Sequence, residues 1–230
     1  MVKLLRRLVL WFIWALRREP LTRWPLLRLL NWLHNWSYHL LSFFSSHTGI
    51  HPKHDIMRYH EFFIANVSSS DAVLDVGAGN GKVAFEVAQH ASSVVGIDIR
   101  PANVAKAEAA YQRPNLRYLL GDATTHTFAS SFDVVMLSNV LEHIDDRVGL
   151  LRSLKQLAPK ILIRVPAITR DWLTVYKQQH GLEYRLDDTH TIEYDEETLR
   201  DEIATAGLNV TSLATRFGEF YAVCQRQATK

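Results

Sequence analysis

The stretch Ala72-Val73-Leu74-Asp75-Val76-Gly77-Ala78-Gly79-Asn80-Gly81-Lys82-Val83-Ala84-Phe85-Glu86 decides how this chain folds. An apolar run broken only by Asp75 stops at Gly77, three glycines follow at alternate positions, and a helical pattern begins at Lys82. That order predicts a buried strand, a tight turn and a helix N-terminus, which together aim backbone N–H groups at a nucleotide-like ligand. Glycine suits the turn because its dihedrals oppose side chains and because a ligand must lie against bare backbone. The spacing is G-x-G-x-G. A dinucleotide fingerprint needs G-x-G-x-x-G, and a phosphate-binding P-loop needs Ser or Thr after the lysine, where this chain has Val83.

Downstream, strand and helix patterns alternate. Ser93–Asp98 reads as a second buried strand ending in an acid, 23 residues after Asp75. A carboxylate at that distance accepts hydrogen bonds from both hydroxyls of a ribose. Pro101–Tyr111 reads as an alanine-rich helix opened by proline. Further strands are expected at Asn115–Leu120, Phe132–Leu137, Lys160–Val165, Val210–Leu213 and Phe220–Cys224, with helices at Leu150–Leu157 and Asp195–Ala206. Gly121-Asp122-Ala123 follows the third strand, and Ser138-Asn139-Val140-Leu141-Glu142-His143 follows the fourth.

D-V-G-A-G-N-G at 75–81 resembles the first motif of class I S-adenosylmethionine-dependent methyltransferases. F-D-V-V at 132–135 followed by V-L-E-H at 140–143 resembles the fourth motif of members acting on quinones, lipids and sugars. The likeness spans residues 71 to 225 and leaves out the first 45. It implies a Rossmann-like α/β fold with a seven-stranded, mostly parallel sheet and a terminal antiparallel hairpin. It also implies S-adenosylmethionine held by Asp75, Gly77, Ala78, Gly79, Gly81, Asp98, Ile99, Asp122, Ala123 and Asn139. Asp122 would meet the adenine amino group, with a turn-forming aspartate as the plain alternative. On the acceptor side the likeness singles out His143 and His190 as candidate bases, with Tyr194 orienting. The Pro-Pro-Tyr-type motif of enzymes acting on DNA amino groups is absent and the domain is acidic, so nucleic acid is not an expected partner.

The N-terminal part is different material. The first 50 residues hold seven Lys or Arg against one acid, Glu19, whereas the remainder holds nineteen basic and twenty-three acidic residues. Trp11, Trp14, Trp24, Trp32 and Trp36 all fall there. The apolar run Leu8 to Leu16 is too short to span a bilayer, which takes about 20 residues, and no small-residue cleavage site follows it. After Pro20 and Pro25 a second helix is expected. Asn31, His34, Asn35, Tyr38 and Ser42 share one face, while Leu29, Leu30, Trp32, Leu33, Trp36, Leu40, Phe43 and Phe44 share the other. Basic amphipathic helices rich in Trp suit peripheral membrane contact through residues 1–46; a lid or a homodimer seam is the alternative.

His47, His51, His54 and His60 precede the domain, but Pro52 breaks any single helical face and no cysteine accompanies them, so no metal is expected. The segment H-P-K-H…Y-H resembles one found ahead of the first motif in bacterial methyltransferases of surface-glycan assembly, and Asp55 to Asn66 is expected to form one helix. One cysteine, Cys224, suits a reducing compartment. The expected organisation is an appendage at 1–46, a lead-in at 47–70 and a cofactor domain at 71–230. The expected activity is O-methylation of a membrane-associated lipid, quinone or lipid-linked glycan on the cytoplasmic side. A soluble sugar or natural-product O-methyltransferase and a non-catalytic scaffold remain open.

Overall fold

The computed structural model describes residues 7, 10, 11, 14–46 and 51–227. The expected apolar run Leu8 to Leu16 lies partly outside the described residues, as does His47. The chain divides into two compact units: the residues up to Pro52 together with 176–184, and Lys53–Val175 together with 185–230.

In the first unit one uninterrupted helix, α1, covers Pro20–Ser45 and runs through Pro25, after the helical residues 14–18. The sequence reading started this helix after Pro25. Pro25 sits near the N-terminal end, where its missing N–H leaves only the carbonyl one turn earlier without a partner. The helix has no buried residue. Its polar edge is the one that meets protein: Asn31 and Asn35 donate to the Glu183 carbonyl at 3.0 and 3.3 Å, and Lys177 donates to Asn35 Oδ1 at 2.9 Å. Trp24 and the ring of His180 lie 5.7 Å apart on the same side. The apolar edge is bare, with Trp32 55%, Trp36 51%, Phe43 74% and Phe44 71% exposed. No described helix is long and apolar enough to cross a membrane.

The second unit is a seven-stranded sheet: β1 Ala72–Val76, β2 Ser93–Asp98, β3 Leu116–Leu120, β4 Val134–Ser138, β5 Lys160–Pro166, β6 Leu208–Arg216 and β7 Glu219–Arg226. The spatial order is β3-β2-β1-β4-β5-β7-β6. The first five strands are parallel, and β7 runs antiparallel to both β5 and β6, as expected. Central parallel strands are covered on both faces and so read as continuous apolar runs; Val134 to Leu137 and Ile161 to Ile163 are fully buried. The order reverses at β1 and β4. In such sheets a ligand binds beyond the strand C-termini at that switch point.

Helices α2 Lys53–Met57 and α3 His60–Ala65 lead into β1; α4 Lys82–Val87, α5 Pro101–Ala110 and α6 Arg147–Leu157 follow β1, β2 and β4, and α7 Trp172–Gln179 and α8 Glu196–Thr205 complete the set. Two of them start on the caps their sequences supply. Asp146 Oδ1 accepts from the Gly149 N–H at 2.9 Å, so α6 begins three residues before the expected Leu150, and Asp195 Oδ1 accepts from the Thr198 N–H at 2.7 Å. The lead-in is not the single helix expected from 55 to 66. Arg58, at φ 47°, breaks it and turns α3 back beside α2.

The turn after β1 is fixed on one side. Gly77 has φ +68°, and a Cβ there would meet Val140 Cγ2 at 2.6 Å, whereas a Cβ on Gly79 would meet nothing closer than the Gly77 carbonyl oxygen at 4.0 Å. Gly77→Ala should therefore lose about 1–3 kcal/mol of unfolding free energy through strain and overlap. Gly79→Ala should lose only about 1 kcal/mol, the two compared by urea denaturation.

Candidate active site

Four loops converge at the C-terminal edge of the parallel strands, after β1, β2, β3 and β4. The Gly77 and Ala78 N–H groups donate to the Ile97 carbonyl at 2.8 and 3.1 Å, which locks the glycine turn onto the end of β2. Asp98 closes the link. Its Oδ2 accepts from the Gly79 N–H at 2.8 Å, and its Oδ1 accepts from the Arg100 N–H at 2.8 Å and Asn103 Nδ2 at 3.1 Å. Each carboxylate oxygen can take two donors, so this anchored acid keeps one acceptor position, on Oδ2, for a hydroxyl. Ile99, next to it, is 63% exposed, an apolar surface without a protein cover.

Asp122 performs the turn role that was its plain alternative: Oδ1 accepts from the Thr124 N–H at 2.9 Å and from Thr124 Oγ1 at 2.7 Å. Ala123 follows it, half-buried. Asn139 lies just past β4 with φ 56°, a left-handed conformation that asparagine tolerates better than most residues. Its N–H donates to the Arg164 carbonyl at 2.9 Å, while its buried Oδ1 accepts from nothing. Backbone strain combined with a buried unpaired acceptor marks a site rather than a scaffold position.

On the acceptor side the structure brings His143 and His190 together, rings 4.7 Å apart and edge to face. His143 is exposed and its Nδ1 meets Thr189 Oγ1 at 2.9 Å. His190 is buried, and desolvation followed by the neighbouring His143 lowers its pKa to about 4. A ring so reluctant to take a proton is a poor base near neutral pH. Tyr194 does not join them. It is fully buried in the core and donates from its hydroxyl to Glu202 Oε2 at 2.8 Å, so orienting a histidine is a role it does not fill.

The residue that sequence reasoning passed over is Glu142. It sits in a short 3-10 turn, Leu141–His143, fully buried, with both carboxylate oxygens unpartnered. Burial, first of all, raises its pKa to about 8. Its donor atoms lie within 4.8 Å of those of His143 and His190. The V-L-E-H motif pointed at the histidine; only the environment of the glutamate shows which carboxyl is tuned toward neutral pH.

Asp75 is the second displaced acid. It is 2% exposed and accepts no hydrogen bond from the described residues, and burial followed by the charge of Asp98 raises its pKa to about 7. Because the folded protein holds this proton more tightly than the unfolded chain, the native state loses stability as pH rises from about 4 to about 7. At 1.36 kcal/mol per pH decade the effect is on the order of 4 kcal/mol. Asp75→Asn should therefore gain stability relative to the parent between pH 4.5 and pH 8, read by urea denaturation at both.

Residues 74–160 match the sequence family described as a methyltransferase domain. The ubiquinone biosynthesis O-methyltransferase of Psychrobacter cryohalolentis is 32% identical over 131 residues, 53% of this chain and 51% of that protein. The phosphoethanolamine N-methyltransferase of Triticum aestivum is 30% identical over 175 residues, 71% of this chain and 33% of that protein. The chain thus spans about half or less of the curated relatives it matches. Among solved structures, magnesium protoporphyrin IX methyltransferase from Synechocystis, with bound SAH, superposes with a TM-score of 0.59 at 20% identity, covering 74% of this chain and 83% of that one. A TehB-like methyltransferase from Corynebacterium glutamicum gives 0.58 at 15% identity, over 85% and 99%. Residues 74–160 are thus similar to the methyltransferase domain, and the strand order and the glycine turn with its trailing acids show the fold of the class I S-adenosylmethionine-dependent methyltransferases.

Proposed function

We propose that the protein transfers the methyl group of S-adenosylmethionine to a hydroxyl oxygen of a small acceptor presented at a membrane surface. The observation that carries the reading is Glu142, a buried and unpartnered carboxyl with a pKa of about 8 beside two histidines. The cofactor supplies an electrophilic methyl on a sulfonium. Around it, Asp98 Oδ2 would receive a ribose hydroxyl, and Ile99 and Ala123 would flank the flat base. Asp122 and the Ala123 N–H meet the polar edge of that base. Asp75, anionic and unpaired once ionised, offsets the ligand's positive charge. Gly77, Ala78, Gly79 and Gly81 keep the turn open, and Asn139 Oδ1 awaits a donor. Glu142 would take the hydroxyl proton of the acceptor, while neutral His190, with His143 beside it, would hold the acceptor oxygen in place.

The membrane part rests on α1. A helix that turns its amide groups toward protein and leaves Trp32, Trp36, Phe43 and Phe44 bare has the reverse of the usual amphipathic arrangement. With Arg17, Arg18, Arg23 and Arg28 close by in sequence, a lipid interface of anionic headgroups over acyl chains suits both halves of this chemistry. The cytoplasmic leaflet supplies such headgroups, and a peripheral position there agrees with a single unpaired cysteine.

Two experiments test the reading. S-adenosylmethionine labelled in the methyl group is incubated with membrane extract from the organism carrying the gene, and the products are partitioned between organic and aqueous phases. Label should enter the organic phase, and the rate should fall as pH drops below about 8, where Glu142 becomes protonated. Glu142→Gln should lower kcat by about 10²–10⁴ with the affinity for S-adenosylhomocysteine unchanged, whereas Asp98→Ala should abolish that affinity. Label confined to the aqueous phase would favour a soluble acceptor, and cofactor binding without any transfer would favour a scaffold. In the second experiment, vesicles containing phosphatidylglycerol should sediment the parent protein but not Trp36→Glu/Phe43→Glu. A parent that stays in the supernatant as a dimer would assign the bare face to a second copy.

A further inference from the structure

The break at Arg58 has a chemical consequence. It stacks the ring of His60 on that of His54, centroids 4.7 Å apart and planes 15° from parallel, and both rings face the carboxylate of Glu86 on α4. His54 Nε2 lies 3.1 Å from Glu86 Oε1, and His60 Nδ1 lies 3.7 Å from Glu86 Oε2. The last two atoms are buried and have no hydrogen-bond partner. Unpaired buried polar atoms are uncommon, and each calls for an explanation such as an ion.

We propose that His54, His60 and Glu86 form a divalent metal site, of the two-histidine, one-carboxylate kind that zinc takes with water as fourth ligand. One donor atom from each residue lies within 4.8 Å of the others. Tetrahedral zinc with bonds of about 2.1 Å separates its ligands by about 3.4 Å, so the trio closes on an ion by side-chain rotation of about 1 Å. The donor set excludes the all-oxygen cage that calcium or magnesium prefers and suits zinc and its first-row neighbours.

The surroundings support the assignment. His54 Nδ1 lies 3.0 Å from the Tyr59 hydroxyl, the outer hydrogen bond that fixes ring and tautomer for a metal-bound imidazole. Burial, the largest influence, lowers the pKa of His54, which keeps its lone pair available. The competing cation is Lys82, whose Nζ lies 3.8 Å from Glu86 Oε1. It stands one helical turn back on α4, partly exposed, and a flexible stem lets it leave for solvent as the ion enters. Pro52 denies the histidines a common face on one helix, but the site draws on three helices, α2, α3 and α4, and takes its carboxylate from Glu86.

A metal here would staple α2 and α3 to α4, the helix that opens directly after the glycine turn. The test uses the full-length protein stripped with chelator and titrated with zinc against a chromophoric competitor. One equivalent should bind, the melting temperature should rise, and cobalt in place of zinc should give the intense visible bands of a four-coordinate site. His60→Gln and Glu86→Gln should each weaken zinc binding by more than the roughly 10–100-fold expected for losing the outer contact in Tyr59→Phe. Their folding is checked by circular dichroism. The proposal is overturned if no stoichiometric zinc binds, or if cobalt shows only weak six-coordinate bands. It is equally overturned if zinc is lost from Glu142→Gln and His190→Gln but kept in His60→Gln, which would place the ion at the other trio.

Discussion

One hydrogen bond holds the functional edge of the molecule together: the Gly79 N–H to Asp98 Oδ2, at 2.8 Å. It joins the turn after β1 to the end of β2, and the paired bonds from Gly77 and Ala78 to Ile97 carry the same connection in the backbone. A bond to a charged acceptor is stronger than one between neutral groups, and it orients Asp98 before any ligand arrives. The turn is closed from below by Val140, which leaves no room for a side chain on Gly77, and open above at Gly79. One wall is packed and the other is bare, so a ligand meets backbone that does not have to move.

Around this edge the chain places carboxyls that are costly to ionise. Asp75 and Glu142 are both buried, both without hydrogen bonds from the described residues, and both shifted upward by burial. Elsewhere the fold meets such groups with partners: Arg164 donates to both oxygens of Glu219 at 2.5 and 2.8 Å, and Arg147 does the same for Glu202. Desolvated acids with no partner lower stability. Their positions, near the C-terminal end of β1 and in the turn after β4, are the pattern of a site organised for a ligand that supplies the missing charge or proton.

In the first unit α1 meets protein through its amide side chains. Amide side chains of α1 form hydrogen bonds with the segment around Lys177 and Glu183, and the aromatic edge is left outside. The 3.6-residue period was plain in the sequence and sets an amide-bearing edge against an aromatic one. Period alone does not say which face meets protein, because that depends on a partner segment about 150 residues away in the chain.

The sequence by itself determined the strands, the turn and the acid at each strand end. Those features are local: glycine tolerates positive φ, branched apolar runs extend, Asp146 and Asp195 cap helices, and motif spacing follows from a strand-turn-helix unit that is the same wherever it occurs. It also put an acid, Asp98, at the end of β2, since the distance from the turn to that strand end is set by one such unit. Tertiary structure decided what depends on surroundings. It buried Tyr194 against Glu202 rather than beside His190, tuned Glu142 rather than the more conspicuous histidines, and bent the lead-in at Arg58 so that His54 and His60 share Glu86. Protonation and ligation are set by desolvation and by neighbours brought from distant parts of the chain, and no local pattern records them.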